Sequence, residues 1–527
     1  MPTLDWIGKS KVVNHHLDVP YHVLERKFSY DENGQHDEDN GSENMMIHGD
    51  NLVALKSLLP QYEGRIRCIY IDPPYNTGNE GWVYNDNVND PRIRKWLGDV
   101  VGKEGEDLSR HDKWLCMMYP RLKLLQRLLS DDGAIFISID DTEIGNLLLV
   151  CKEIFGEQNH IATFIWQKRY SPDVRMAVSD AHEFILCYAK NPALFKERRH
   201  LLPLTDAQTK QFSNPDKDPR GPWKANDFTA PGYRPNQMYE ITLPSGRVVT
   251  PPAGRCWRVT KEGFEQFASE NKMIYGSDGD GVPAVKRFLS EMPGMVPWTW
   301  WNHEEVGHSQ EGNKQLSSIM GKAIFDYPKP TRLIERILQI ATDPDSIILD
   351  SFAGSGTTAH AVLNMNKADG GKRKFILVEM MDYADSITAE RVRRVIKGYG
   401  EGKKAVEGTG GNFSYYELGM PIFNGELLNE EIGEEEIRKY VYYTETRNPL
   451  EPRKQEDPAY MGTYMDTAYY FHYLKDESTT LDRDFLKTIK TRALGYVIYA
   501  DTCLLSENEL NRYHITFKKI PRDISRI

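Results

Sequence analysis

Arg65-Ile66-Arg67-Cys68-Ile69-Tyr70-Ile71-Asp72-Pro73-Pro74-Tyr75 is the stretch whose reading decides the fold. After Gly64 the run Arg65 to Ile71 reads as a buried strand that ends at Asp72, where two prolines fix a stiff turn. A helix precedes it, with Asp50 at the cap position and Leu52, Leu55, Leu58 and Leu59 on one face. Helix-then-strand repeats downstream: a helix over 113–129, an Asp131-Asp132-Gly133 turn, a strand over 134–140, a further helix over 143–155 and a strand over 183–189. The alternation resumes at Pro330, which opens a helix bearing Leu333, Ile334, Ile337 and Leu338. A strand over 346–350, a helix from Thr357 and a strand over 374–379 follow. Alternation on both sides of an interruption predicts an α/β fold: one doubly wound, mostly parallel sheet assembled from two separated parts of the chain.

The 527 residues, 40% hydrophobic, suffice for two or three domains. Residues 191–325 lose periodicity and gain Pro, Gly, Trp and Arg, as an inserted domain of short strands and loops would. The expected division is an N-terminal arm over 1–44, sheet halves at 45–190 and 326–400 flanking the insertion at 191–325, and a separate C-terminal domain over 401–527. Six scattered cysteines, none in a Cys-x-x-Cys pair, predict reduced thiols and no metal site. No apolar run approaches the roughly 18 residues of a membrane span, and the polar start lacks a signal-peptide pattern, so a cytoplasmic protein without a membrane partner is expected. The net charge of −11 excludes a uniformly basic coat; any nucleic-acid contact must be a local groove. The acidic stretch 426–436 reads as a solvated helix face.

Ligands of an open parallel sheet bind beyond the carboxyl ends of its strands. Past the first strand, Asp72 and the Pro73 carbonyl offer two acceptors, Pro74 stiffens the turn, and Tyr75 offers a ring. That set suits a flat amino-purine, though an acid-capped proline turn is the plainer alternative. The second strand end is Asp350-Ser351-Phe352-Ala353-Gly354-Ser355-Gly356-Thr357-Thr358, a glycine loop at a helix start. No Gly-Lys-Ser/Thr follows, which disfavours a phosphate-binding loop, and the third glycine of the dinucleotide fingerprint is missing. Glu379 ends the next strand, where an acid bonds ribose hydroxyls. The combination suits a ligand with one ribose and a small charged end, such as S-adenosylmethionine. Thr357 and Thr358 either donate to its carboxylate or cap the helix.

The ordered runs His48-Gly49-Asp50-Asn51-Leu52, Tyr70-Ile71-Asp72-Pro73-Pro74-Tyr75-Asn76-Thr77-Gly78-Asn79, Phe325-Asp326-Tyr327-Pro328-Lys329-Pro330 and Phe352-Ala353-Gly354-Ser355-Gly356-Thr357-Thr358 resemble the β class of amino-methyltransferases. Tyr84-Asn85-Asp86-Asn87 and Trp114-Leu115-Cys116-Met117-Met118-Tyr119-Pro120-Arg121-Leu122 narrow the resemblance to the modification (Mod) subunits of type III restriction-modification systems. It covers roughly residues 45–395. It implies a Rossmann-like methyltransferase fold in which Asp72, Pro73 and Tyr75 bind a flipped-out target base, while Asp350, Phe352, Gly354, Gly356, Thr357 and Glu379 hold S-adenosylmethionine. Asp50 would contact the cofactor adenine or merely cap its helix; Lys329 would approach the methionine carboxylate or stay solvated. Ser351 stands where many of the class have proline. Cytosine-N4 enzymes of related design commonly carry serine in place of the aspartate, so Asp72 favours N6 of adenine.

The resemblance also implies that the insertion reads double-stranded DNA. Arg220, Lys224, Arg234, Arg255 and Arg258 are the candidate contacts, although an ordinary surface over a small core would look similar. A homodimer, joined by a restriction (translocase-nuclease) subunit when restriction occurs, is the implied assembly; the aromatics and mixed charges of 401–527, which serve no motif of the sheet, make that stretch the candidate docking region. The rival readings are a solitary adenine methyltransferase, an N4-cytosine or RNA methyltransferase, and a catalytically silent DNA-binding subunit.

Overall fold

The computed structural model describes residues 3–77, 95, 110–425, 427–452, 456–475 and 477–526. They form two compact units: one comprises residues 1–200 with 298–527, the other 201–297.

An eleven-stranded sheet organises the first unit. Its strands are β1 (His22–Asp31), β2 (Gly34–His36), β3 (Met45–His48), β4 (Ile66–Ile71), β5 (Leu129–Ile139), β6 (His160–Gln167), β7 (His182–Ala189), β8 (Trp300–Trp301), β9 (Ile347–Asp350), β10 (Lys374–Glu379) and β11 (Phe413–Pro421). Their spatial order is β8-β6-β7-β5-β4-β9-β10-β3-β11-β1-β2. The six strands from β5 to β11 in this order run parallel; β7 and β1 lie antiparallel to their neighbours. All six residues of β4 are buried, as expected of a central parallel strand covered on both faces. The covering helices include α1 (Asn51–Tyr62), α2 (Arg110–Leu128), α3 (Ile144–Phe155), α4 (Thr331–Ala341), α5 (Thr357–Asp369) and α6 (Glu390–Lys397).

The mostly parallel doubly wound sheet expected from the sequence is present, and each predicted strand appears within it. Details differ. Asp131-Asp132-Gly133 is not a turn before a strand; it lies in an irregularity within β5, where the register passes from Ile66 opposite Leu129 to Cys68 opposite Ala134. A Cβ on Gly133 would come within 2.9 Å of the Ile66 and Arg67 carbonyls, so only glycine lets the two backbones approach.

Three domain boundaries are corrected. The presumed N-terminal arm contributes β1 and β2, and β1 pairs with β11 from the presumed C-terminal domain. The chain beyond 400 is therefore no separate unit. Helix α7 (Glu434–Thr446) buries Tyr440, Tyr442 and Tyr443 in the same core as Leu58 and Leu59, and its acidic first turn carries Glu434, Glu435 and Glu436. Beyond α7, a four-stranded sheet of Tyr460–Tyr464, Thr467–Phe471, Gly495–Ala500 and Ile515–Lys519 completes the chain. The insertion is narrower than 191–325: Trp301 sits in β8, fully buried and stacked 4.3 Å from Phe164 of β6.

The second unit consists of short antiparallel ladders and the helix Lys261–Ser269 around Phe228, Ile241, Leu243 and Trp257. Five of the six cysteines are buried and none is in a disulfide. Among the described residues, no helix is long and apolar enough to cross a membrane.

Candidate active site

β4 and β9 are parallel neighbours, with Cys68 opposite Ile348 and Ile69 opposite Leu349. From this pair the chain winds outward in both directions, through β5 on one side and β10 on the other. The Asp72 turn and the glycine loop thus leave the same sheet edge side by side, at the crevice where ligands of doubly wound sheets bind. Together they line a cavity of about 1150 Å³, open mouth included, which Phe325, Tyr327 and Lys329 also border.

The turn is held from behind. Trp114, buried in α2, donates its Nε1–H to the Pro74 carbonyl at 2.6 Å, so Pro74 anchors the turn and does not line the cavity. Asn76 follows at φ 59°, and its side-chain amide donates to the buried Glu143. Asp72, Pro73 and Tyr75 do face the cavity.

Lys329 departs from expectation: its Nζ donates to Asp72 Oδ2 at 2.7 Å and reaches the Tyr75 hydroxyl at 3.0 Å. That hydroxyl lies 2.8 Å from Asp72 Oδ1 and 3.0 Å from Glu183 Oε2, so its single proton serves one acid or the other. Glu183 stands 3.5 Å from Lys329 and 3.4 Å from Lys168. Burial and the charge of Glu183 push Asp72 up from the usual carboxylate range, against the pull of Lys329. Burial alone would lower Lys329, but Asp72 and Glu183 hold it above its ordinary value. Burial likewise opposes the charge on Glu183, yet the two lysines keep its carboxyl below the usual range. Two carboxylates and two ammonium groups thus balance in a half-closed pocket.

In the glycine loop, Asp350 accepts from the Phe352 backbone N–H at 3.0 Å and from the Thr358 hydroxyl at 2.6 Å. Asp350, Phe352, Gly354, Ser355 and Thr357 border the cavity. Gly356 lies at φ 78°, where a Cβ would meet the Thr388 carbonyl at 3.0 Å, and it turns the chain into α5. Glu379 is turned inward: its oxygens accept from the Gly354 N–H at 2.8 Å and the Met381 N–H at 3.0 Å, so it braces the loop and does not border the cavity. Burial lifts Asp350 and Glu379 to about 7. Asp50 caps α1 through the Leu52 and Val53 N–H groups and lies 3.5 Å from the buried Arg121, also away from the cavity. Next to it, Asn51 donates to the carbonyl of Ser351, whose own hydroxyl is buried without a partner among the described residues.

Sequence reasoning missed Glu183, Lys168 and Arg391. Glu183 is the second residue of β7, and only the pairing of that strand within the sheet brings it to Tyr75. Arg391 of α6 reaches Ser355 and Thr357 from beneath the loop. Of the proposed DNA contacts, all in the second unit, Arg220 is locked to Asp218 at 2.7 Å and Arg255 to Asp227 at 2.8 Å. Arg258 donates to the Thr229 carbonyl, Lys224 lies 4.9 Å over Phe212, and Arg234 is exposed with a 3.3 Å contact to Gln237. Gly78, Asn79 and the run Tyr84-Asn85-Asp86-Asn87 lie outside the described residues.

The sheet and the two adjoining strand-end motifs define a Rossmann-like methyltransferase domain. Residues 66–390 match the DNA methylase family model for N6 and N4 methylases, and the chain belongs to that family. It is 35% identical over 390 residues to the type III restriction-modification enzyme StyLTI Mod subunit of Salmonella typhimurium, covering 68% of this chain and 58% of that one. It is 32% identical to the EcoPI Mod subunit of Escherichia phage P1, covering 72% and 63% respectively. The type II methyltransferase M.KpnI of Klebsiella pneumoniae is 33% identical, with 63% of this chain and 79% of that one covered. The matched stretches span about three fifths of the length of these Mod subunits.

Proposed function

We propose that this chain transfers a methyl group from S-adenosylmethionine to N6 of an adenine flipped out of double-stranded DNA, as the modification subunit of a type III-like restriction-modification system. The observation that carries the reading is the meeting of the Asp72-Pro73-Pro74-Tyr75 turn and the Phe352–Thr357 loop on one cavity.

The residues present fit the cofactor. Gly356 keeps the loop close against Thr388, Phe352 offers an apolar face, and the Ser355 and Thr357 hydroxyls lie at a helix N-terminus suited to an anionic end. When bound, S-adenosylmethionine supplies a methyl group already activated on a sulfonium. The chain's own contribution is on the other partner. Asp72 and the Pro73 carbonyl accept the two N–H bonds of the target amine, which localises a lone pair otherwise spread into the ring and stabilises positive charge as it develops. Lys329, 2.7 Å from Asp72, opposes the protonation that burial and Glu183 favour and so helps it to accept. The cavity would hold both reactants together, and Asp72, which lines it, would take up the proton that the alkylated amine sheds.

Aspartate at position 72 favours adenine over cytosine. A DNA substrate would place the protein in the cytoplasm, and the similarity to chains named as Mod subunits of type III restriction-modification enzymes supports association with a restriction subunit. Transfer of a tritiated methyl group to duplex DNA, followed by nucleoside analysis, is the test. N6-methyl-2′-deoxyadenosine is expected; label in N4-methyl-2′-deoxycytidine, or none on DNA, would overturn the assignment.

A further inference from the structure

Arg391 is fully buried in α6, and among the described residues no carboxylate pairs with it. Its Nη1 donates to the Ser355 hydroxyl at 2.9 Å and to the Thr357 hydroxyl at 2.8 Å; Nη2 lies 3.3 Å from His360 Nδ1, and Nε has no partner among the described residues. His360 does not share the charge, because burial and the adjoining guanidinium hold its pKa far below the ordinary value and leave it a neutral acceptor. A guanidinium stays protonated in a protein, so the charge lies uncompensated beneath the glycine loop. Burying a cation without a counter-ion is costly unless something negative arrives later.

We propose that Arg391 is a positioning residue for the carboxylate end of the methyl donor. This rests on the reading that the glycine loop holds S-adenosylmethionine. Ser355 and Thr357 stand between Arg391 and the cavity, with lone pairs engaged by the guanidinium. Each hydroxyl is thereby polarised and retains its own proton to donate. In this structure the Thr357 proton points to the Lys329 carbonyl at 3.2 Å, a weak acceptor that a carboxylate would displace. The positive end of α5, thirteen residues long, adds to the same field. The missing counter-charge is then carried by the ligand: the site is electrostatically complete only when a carboxylate lies on the loop.

The test compares two ligands differing only in that group, S-adenosylhomocysteine and its decarboxylated analogue, by calorimetry on the whole chain. Wild type should prefer the carboxylate compound by at least about tenfold. Arg391→Gln should erase most of this preference while leaving affinity for the decarboxylated compound within about threefold, and Arg391→Lys should recover part of it. Equal weakening of both ligands in a folded Arg391→Gln protein, or no preference in wild type, would overturn the proposal by making the arginine purely structural. Should Arg391→Gln not fold, the Ser355→Ala/Thr357→Val pair must lose the same preference; an unchanged preference there is equally fatal. If wild type binds neither compound, the cofactor reading fails first, and that outcome is distinct from the others.

Discussion

The Lys329 ammonium lies 2.7 Å from Asp72 Oδ2, so the acceptor assigned to the target amine already holds a hydrogen-bond donor. An adenine amino group entering the cavity must share or take that place. This single contact links the motif before the insertion to the one after it, and several expectations follow from the charges around it.

Asp72→Ala should lower kcat by roughly a thousandfold or more, because the lost acceptor acts where charge develops. Cofactor affinity should stay within about threefold, since the glycine loop is untouched. Residual turnover near wild type would refute the role of Asp72.

Lys329→Met removes the charge that draws Asp72 down, while burial and Glu183 continue to push it up. The Asp72 pKa should therefore rise, and the acid limb of kcat/KM against pH should move to higher pH. An unmoved limb would mean that another group controls it.

Asp350, lifted by burial to about 7, gives a stability signature. Between an unfolded value near 4 and about 7 the native chain keeps a proton that the unfolded chain has released, so stability from this group falls as pH rises through that window. About three units correspond to roughly 4 kcal/mol as an upper bound. Asp350→Asn should flatten the fall in urea midpoint from pH 5 to pH 8; parallel curves for variant and wild type would contradict it.

Trp114→Phe strands the Pro74 carbonyl in a buried site, at a cost of about 1–3 kcal/mol. Thermal unfolding should report the loss, and kcat should fall more than cofactor affinity does, because the displaced element is the Asp72 turn. A variant with unchanged Tm and kcat would show that the turn does not depend on this bond.

Truncation after residue 400 should yield insoluble protein. It deletes β11 from between β3 and β1 and removes Tyr443, which donates to Glu63 beside Arg127. A soluble, cofactor-binding fragment 1–400 would disprove the structural dependence.

The parts of this molecule legible in sequence are those where burial on both faces leaves an uninterrupted apolar run, as in Cys68–Ile71 and Phe375–Val378, or where proline and glycine punctuate a strand end. Met45–His48 is too short to stand out, and β1 and β11 mix polar and apolar residues because they are only partly covered. Site residues follow the same logic. Asp72 and Tyr75 announce themselves beside prolines. Glu183 sits in an ordinary strand, and the true partner of Lys329 is 257 positions away in sequence. Glu379 is legible as a strand-end acid, but its direction depends on which backbone amides the folded loop leaves open.

The seating of β11 between β3 and β1 also sets a schedule for synthesis. Both flanking strands leave the ribosome within the first fifty residues, yet their shared neighbour emerges only after Phe413. At about 5–20 residues per second, those two edges wait for roughly 20–80 s with unpaired backbone groups that invite other strands. The nascent chain therefore has a long aggregation-prone interval, and its yield should depend on chaperones that cover those edges until the late strand arrives.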